Sequence, residues 1–416
     1  MKETKQLEYK ETITNTFLKT VSAFANYDGG EIVFGINDDG EVIGMQDPER
    51  KCLDIENRIN DSIEPQPEYE LGIADDHTIR LKIYAGMQQP YFYRSKAYKR
   101  NNTATVEVDR TELTRLILKG SNRNYEELPA GIQDLSFRKL EQELKTKTGI
   151  DALDLNILKT LNLFSDQNGY NIAAEILADE NTLAGIDIGK FGDSISVIRK
   201  RRTYEHTSAL NLYDAAYDMF RDYYIYEVIT DSERETRSLI PAQAFREAVA
   251  NALIHRMWDV KDHIRIFMFD DRVEIFSPGG LPEGMSEEAY LSGNYSTLRN
   301  PILSNVFFRL GLVEIFGTGI RRIREAYQDS IIKPEFEIYE NAIKVILPIV
   351  KERSTLEDEM ELVYATLSER EGTSIGRIVQ EVPFGKTKVR KILSELAQKK
   401  LVRITGNGRG TKYYKA

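Results

Sequence analysis

Residues 245–255 read FREAVANALIH, and the spacing of their apolar and polar positions decides how the middle of the chain is read. Phe245, Ala248, Val249, Ala252 and Leu253 fall at i, i+3, i+4, i+7 and i+8, which predicts a helix with one buried stripe. Glu247, Asn251 and His255 recur every fourth residue along the edge of that stripe. A carboxylate and an amide one turn apart reach the same space above a helix, where they can hold a hydrated Mg²⁺ and orient a water. That is nucleotide chemistry. His255 shares the helix with them, although capping or a core hydrogen bond is the commoner use of such a histidine.

Working outward, residues 264–269 and 273–276 predict a hairpin around Asp270, Asp271 and Arg272, followed by the breaker run Ser277-Pro278-Gly279-Gly280-Leu281-Pro282. Further on, Gly317-Thr318-Gly319-Ile320 opens another helical run, whose first backbone N–H groups are free to meet phosphate oxygens. A helix with E-x-x-x-N-A followed by two glycine turns resembles the ATPase fold shared by gyrase, MutL and sensor histidine kinases, the GHKL group. The run PGGLP, then Arg299-Asn300-Pro301, then Gly317-Thr318-Gly319, resembles the divergent branch found in RecG-like transcriptional regulators. The resemblance implies that Glu247 is the water-orienting base, that Asn251 ligates Mg²⁺, and that Gly279, Gly280, Gly317, Thr318 and Gly319 shape a pocket for ATP. One departure stands out: the wider family reads adenine with an aspartate where this chain has Ser277-Pro278-Gly279-Gly280, so low base selectivity is expected. The alternative makes Glu247 and Asn251 solvated positions and the glycines ordinary turns; hydrolysis stays open.

The whole chain sets bounds. Its 416 residues suffice for two to four domains, and 41% hydrophobic with 29% charged residues is ordinary for a globular protein. The charged start at residues 1–10 is no secretory signal, and no stretch reaches the roughly 20 apolar residues of a membrane span. Cys52 is the only cysteine, which excludes an internal disulfide and a cysteine-rich zinc site. The cytoplasm is the expected compartment. The formal net charge is -10, yet residues 386–416 hold ten basic residues against the single acid Glu395, a tail of +9 on a remainder of -19. Such asymmetry suggests an acidic body with a basic nucleic-acid-binding end.

At the N-terminus, Leu7 and Tyr9 alternate with Glu8 and Lys10, predicting a short strand with the acid and the base on one face. A helix over residues 11–26, a strand over 31–36, a turn at 37–40 and a return at 41–43 follow. LEYK and SAFANYDGGEIVFGINDDGEVIG resemble the Schlafen AlbA-type domain, which is expected over residues 1–120. Residues 91–100 combine four aromatics with Arg94, Lys96, Lys99 and Arg100 and no acid, a mixture suited to stacking on bases while meeting phosphates; a solvated edge strand is the competing reading. Some Schlafen proteins cleave RNA with metal-bound carboxylates, and the positions this resemblance implies are Glu3, Glu8 and Asp39, with Lys10 beside them and Mn²⁺ as the metal. Glu8 is expected at an exposed strand face, where Glu8→Ala leaves the fold intact.

Residues 121–149 read as a linker or an exposed helix, residues 151–164 as an amphipathic helix, and Arg199 to Arg202 as a basic cluster at a solvated strand or helix end. After Pro348, helices are predicted over 357–368, 374–382 and 386–398. The last shows Lys386, Lys388, Arg390 and Lys391 on its polar face, as a recognition helix in a major groove does. Two strands flank a glycine-rich tip carrying Arg409, and the set resembles a winged helix-turn-helix. The expected fold class is therefore α+β in several domains: an AlbA-type domain over 1–120, a linker over 121–149, an ATPase-like α/β sandwich over 150–350 and a winged helix over 355–416. The expected function is a nucleotide-responsive DNA-binding transcriptional regulator. Its partners are DNA, RNA as a second nucleic acid, and further copies of the chain, with no membrane. A nucleotide-gated metal-dependent nuclease and an oligomerisation scaffold are the alternatives.

Overall fold

A computed structural model of the chain describes residues 2–416 except 38, 193, 230–233, 283, 294–296, 315–316, 331, 351–355, 369–370 and 407, and no side chain at 356–358 or 409. Helices and several sheets alternate in an α+β architecture. The chain divides into two compact units, Met1–Leu128 and Pro129–Ala416.

In the first unit, strand Leu7–Lys10 runs parallel to Gly30–Phe34, which pairs antiparallel with Ile79–Ile83, itself paired with Tyr69–Ile73. Helix Phe17–Asn26 lies in the core, where Phe17 meets Phe34 edge to face at 5.3 Å. It starts six residues later than the periodicity predicts. Thr14 and Thr16 bond each other at 2.7 Å through their hydroxyls, and residues of this kind favour turns over helix interiors. It stops where predicted, because Gly29 takes φ +72° and sends its N–H back to the Phe24 carbonyl. The predicted return strand at 41–43 reduces to the single bridge Ile36↔Val42, and residue 38 of its turn lies outside the described residues.

The second unit opens with a helix rather than a free linker. Arg138–Thr148 buries Leu140 and Leu144, and the Asp179 carboxylate accepts from the N–H groups of Arg138 and Lys139 at 2.8 and 2.9 Å, capping the helix from forty residues away in sequence. The helix predicted over 151–164 is only Leu155–Thr160; Asn162 at φ +57° ends it and Phe164 passes into a short strand. The body of the unit is a six-stranded sheet in the order Ile198–Tyr204, Ile186–Phe191, Ile264–Met268, Arg272–Pro278, Ala342–Pro348, Glu335–Ile338. The predicted hairpin forms, with Met268 opposite Val273, and Arg272, expected in the turn, begins the second strand. Helices Ala209–Tyr224 and Ala242–His255 stack on each other through Phe220 and Phe245, ring centroids 4.1 Å apart. Arg199 to Arg202 lie on an edge strand, with Arg199 paired to Asp270 and Arg201 to Asp187.

The last part of this unit closes a small core of its own. Helices Leu356–Ala365, Ile375–Glu381 and Lys386–Gln398 enclose Met360, Val363, Ile378, Val389, Ile392 and Leu396, and the hairpin Val402–Thr405 with Lys412–Lys415 seals one side. The Arg409 side chain lies outside what the structure describes.

Candidate functional site

Helix Ala242–His255 forms one wall of a pocket whose floor is the sheet, at Ile275, Ile343 and Val345. Asn251 and His255 line it, and Gly279, Gly280, Gly317 and Gly319 contribute backbone. Glu247 lies one turn behind Asn251, 6% exposed. The Asn251 side-chain amide donates to Glu247 Oε1 at 3.2 Å, which leaves its carbonyl oxygen Oδ1 for another partner.

Gly319 explains why the second glycine turn is needed. It is the first residue of helix Gly319–Ala326, and a Cβ there would come within 2.5 Å of Asn251 Nδ2 and 2.8 Å of Glu247 Oε1. A side chain there would displace the ends of Asn251 and Glu247 from the positions they hold. Gly317 reaches the turn at φ +67°, and Thr318 takes the N-cap position. The helix thus presents its free N–H end where Asn251 and Glu247 stand. Burial raises the Glu247 pKa, while the Arg322 cation and the Asn251 amide oppose the rise and Glu314 adds to it. Arg322 is in turn paired with Glu314 at 3.1 Å.

The other end of the pocket is held by the Arg299-Asn300 pair. Arg299 donates to the carbonyls of His255 and Gly280 at 2.6 and 2.8 Å, and Asn300, 1% exposed, donates to those of Ile254 and Arg256 at 2.8 and 2.9 Å. The carbonyls left over at the C-terminal end of helix Ala242–His255 are thereby satisfied by two side chains from one loop. Gly279 at φ +105° leaves no room for a Cβ beside Met257 and Arg299, and Gly280 lies against the Glu340 carbonyl. Ser277, at the position of the missing aspartate, donates its hydroxyl to the Ala252 carbonyl at 2.9 Å. Sequence reasoning did not find Ser304, Glu314 or Arg322. A serine in a helix and an Arg–Glu pair are too common to signal a site without a fold around them.

The first unit corrects several expectations. Glu8 is not at an exposed face: it is 4% exposed and accepts from Thr20 at 2.8 Å, pairs with Lys10 at 2.7 Å and meets Arg100 in a direct ion pair. Arg100, expected to meet phosphate, is 8% exposed and is consumed by this contact. Lys96 pairs with Glu107 at 2.7 Å and Lys99 with Glu112 at 2.6 Å, while Arg94 is exposed with its guanidinium 5.2 Å from the Tyr93 ring centroid. Tyr91, Tyr93 and Tyr98 are core residues, so three of the four aromatics expected to stack on bases cover the sheet instead. Glu3 accepts from the Tyr9 N–H at 2.9 Å and Asp39 is exposed. Among the described residues no group of three or more His, Cys, Asp or Glu side chains converges on a metal position.

Glu8→Ala is therefore expected to destabilise the first unit by about 3–5 kcal/mol, since it leaves Arg100 buried without its carboxylate. A urea melt of the variant checks this; an unchanged midpoint would contradict the buried network.

In the C-terminal part, Lys386, Arg390 and Lys391 are exposed on helix Lys386–Gln398, opposite its buried Val389, Ile392, Leu393 and Leu396. Lys388 is exposed as well but ion-paired to Glu359.

Comparison with known proteins agrees with the division of the chain. Residues 3–109 match the family model Schlafen, AlbA_2, and residues 261–347 match the model described as "Putative ATP-dependent DNA helicase recG C-terminal". The protein is thus a multi-domain chain carrying a Schlafen AlbA_2 domain and a RecG-like C-terminal HATPase_c_4 domain. The second match starts after helix Ala242–His255, so Glu247 and Asn251 stand on geometry alone. The crystal structure of the DIP2311 protein from Corynebacterium diphtheriae has a similar fold, with a TM-score of 0.50 at 19% identity over 99% of this chain and 92% of that one. No curated protein matches. No helix among the described residues is long and apolar enough to cross a membrane.

Proposed function

We propose that this protein is a nucleotide-responsive, DNA-binding transcriptional regulator. The observation that carries the reading is the closure of Gly319 onto Glu247 and Asn251, which places a helix N-terminus, an amide oxygen and a buried carboxylate at one end of an apolar pocket. A helix N-terminus favours phosphate through its free N–H groups and its dipole. Mg²⁺ usually takes one or two protein oxygens and completes its shell with phosphates and water, so Asn251 Oδ1 fits as its protein ligand. When bound, the metal would neutralise phosphate charge. Glu247, with its basicity raised by burial, is the group that would take a proton from a water beside it. ATP is the expected nucleotide.

DNA binding is assigned to the C-terminal helices and hairpin, read as a winged helix. Lys386, Arg390 and Lys391 are the support: exposed cations on a helix whose opposite face is core, in a tail of +9 on an acidic chain. The AlbA_2 domain adds a second nucleic-acid-binding module in this reading, with Arg94 as its exposed cation and RNA as the other polymer it could meet. Metal-dependent nuclease activity draws no support from Glu8, whose charge is already matched by Lys10 and Arg100.

The test is duplex DNA binding by the full chain, followed by anisotropy at fixed salt with and without a non-hydrolysable ATP analogue and Mg²⁺. The expected result is an affinity that changes at least about fivefold with nucleotide, a coupling of roughly 1 kcal/mol. Identical affinities at saturating nucleotide would overturn the responsive part and favour a scaffold role for the pocket domain.

A further inference from the structure

The pocket has two chemically different ends, and the proposed function uses only one. At the Asn251 end stand the helix N-terminus and the close-packed Gly319. His255 lies one turn further along the same helix, about 6 Å away along its axis. A nucleotide whose phosphates face Gly319 therefore extends its base towards His255, Ser277 and Ser304, all of which line the pocket.

Two groups at that end have hydrogen-bonding capacity to spare. Ser304, on helix Pro301–Arg309, is 2% exposed and its hydroxyl has no partner among the described residues. A buried hydroxyl left unpaired is costly, and native structures satisfy nearly all of them, so a group that enters the pocket and bonds Ser304 is favoured. The His255 ring makes no hydrogen bond among the described residues either; only its backbone carbonyl is engaged, by Arg299. Burial and the neighbouring Arg299 cation lower the His255 pKa to about 4, so the imidazole is neutral at physiological pH, with one nitrogen donating and the other accepting. Among the described residues no hydrogen bond fixes which nitrogen carries the proton.

We propose that His255 and Ser304 read the base of the bound nucleotide in place of the absent aspartate, and that they accept adenine and guanine alike. The proposal rests on the nucleotide reading of the Asn251 end. An aspartate only accepts, so it welcomes the adenine amino group and repels the guanine carbonyl oxygen. A neutral imidazole and a hydroxyl each donate or accept according to the partner. The apolar floor at Ile275, Ile343 and Val345 offers a purine ring a surface without edge preference.

Calorimetry with ATP analogue, GTP analogue and inorganic tripolyphosphate, each with Mg²⁺, tests this on the full chain. The wild type is expected to bind both nucleotides within about fivefold of each other. His255→Leu is expected to lose about tenfold for both, the scale of one hydrogen bond, while tripolyphosphate is bound as before. His255→Gln keeps a donor and an acceptor and retains both affinities, which separates base reading from a structural role. His255→Asp shifts the preference to the ATP analogue by about tenfold or more. Ser304→Ala weakens both nucleotides and leaves tripolyphosphate alone. If the wild type binds both nucleotides and His255→Leu changes neither, base reading by His255 is wrong while the nucleotide site stands. If the wild type selects one purine by a hundredfold, the dual specificity is wrong. If neither nucleotide nor tripolyphosphate binds, the nucleotide reading itself falls, and this proposal with it.

Discussion

Asn251→Ala is expected to weaken Mg²⁺-dependent nucleotide binding by about a hundredfold, the effect of losing a charge-assisted contact of a few kcal/mol. Its side chain is the neutral oxygen donor beside the helix N-terminus, and its amide is already turned towards Glu247. Without it, Glu247 also loses the hydrogen bond that holds its carboxylate in place. Glu247→Gln gives the opposite split. It keeps shape and hydrogen bonding but not basicity, so nucleotide affinity stays within about threefold, and any hydrolysis falls by roughly 10²- to 10⁴-fold. Isothermal titration with a non-hydrolysable analogue, paired with phosphate release from ATP, reads both variants. Equal affinity of wild type and Asn251→Ala would remove Asn251 from the site. Undiminished hydrolysis in Glu247→Gln would remove Glu247 as the base.

The second large effect belongs to the C-terminal helices. A triple charge reversal, Lys386→Glu with Arg390→Glu and Lys391→Glu, is expected to lower duplex DNA affinity by about 10²-fold or more at moderate salt. It should also flatten the salt dependence by close to three counterions, at roughly 0.9 per phosphate neutralised. The three side chains are exposed and opposite a closed core, so the fold has no need of their charge. Lys388→Glu is the internal comparison. Lys388 is tied to Glu359, and its reversal sets a like charge against that buried acid, so its effect includes stability as well as binding. A salt titration in which wild type and triple variant run parallel would place the DNA contact elsewhere.

The Glu8 result shows how a correct strand can carry a wrong role. The alternation of Leu7, Glu8, Tyr9 and Lys10 put the acid and base on one face, and the structure pairs them at 2.7 Å. Yet that face is covered. Arg100, ninety-two residues later, folds over it, and a residue that reads as a phosphate ligand in the sequence becomes the counter-ion of a buried acid. Charge count along a segment says nothing about where an acid from another segment will lie. The same applies to residues 91–100, where the local absence of acids is cancelled by Glu8, Glu107 and Glu112 from three other places in the chain.

Local pattern was sufficient for the elements that are long, periodic and bounded by breakers. The apolar stripe of FREAVANALIH gave helix Ala242–His255, the two-residue period on either side of Asp270 and Asp271 gave the hairpin, and Lys386–Gln398 formed between the bounds its periodicity predicts. These follow from backbone sterics and side-chain periodicity, which act within a few residues. Only the tertiary structure decided which polar groups meet. It brought Gly319 against Glu247 and Asn251 across seventy residues, and set Asn300 on the carbonyls that helix Ala242–His255 leaves open. Among the described residues it also left the Ser304 hydroxyl without a partner at the far end of the pocket. Such pairings are fixed by packing between distant segments, where burial makes an unmatched polar group costly, and a sequence read along its own length contains no term for that cost.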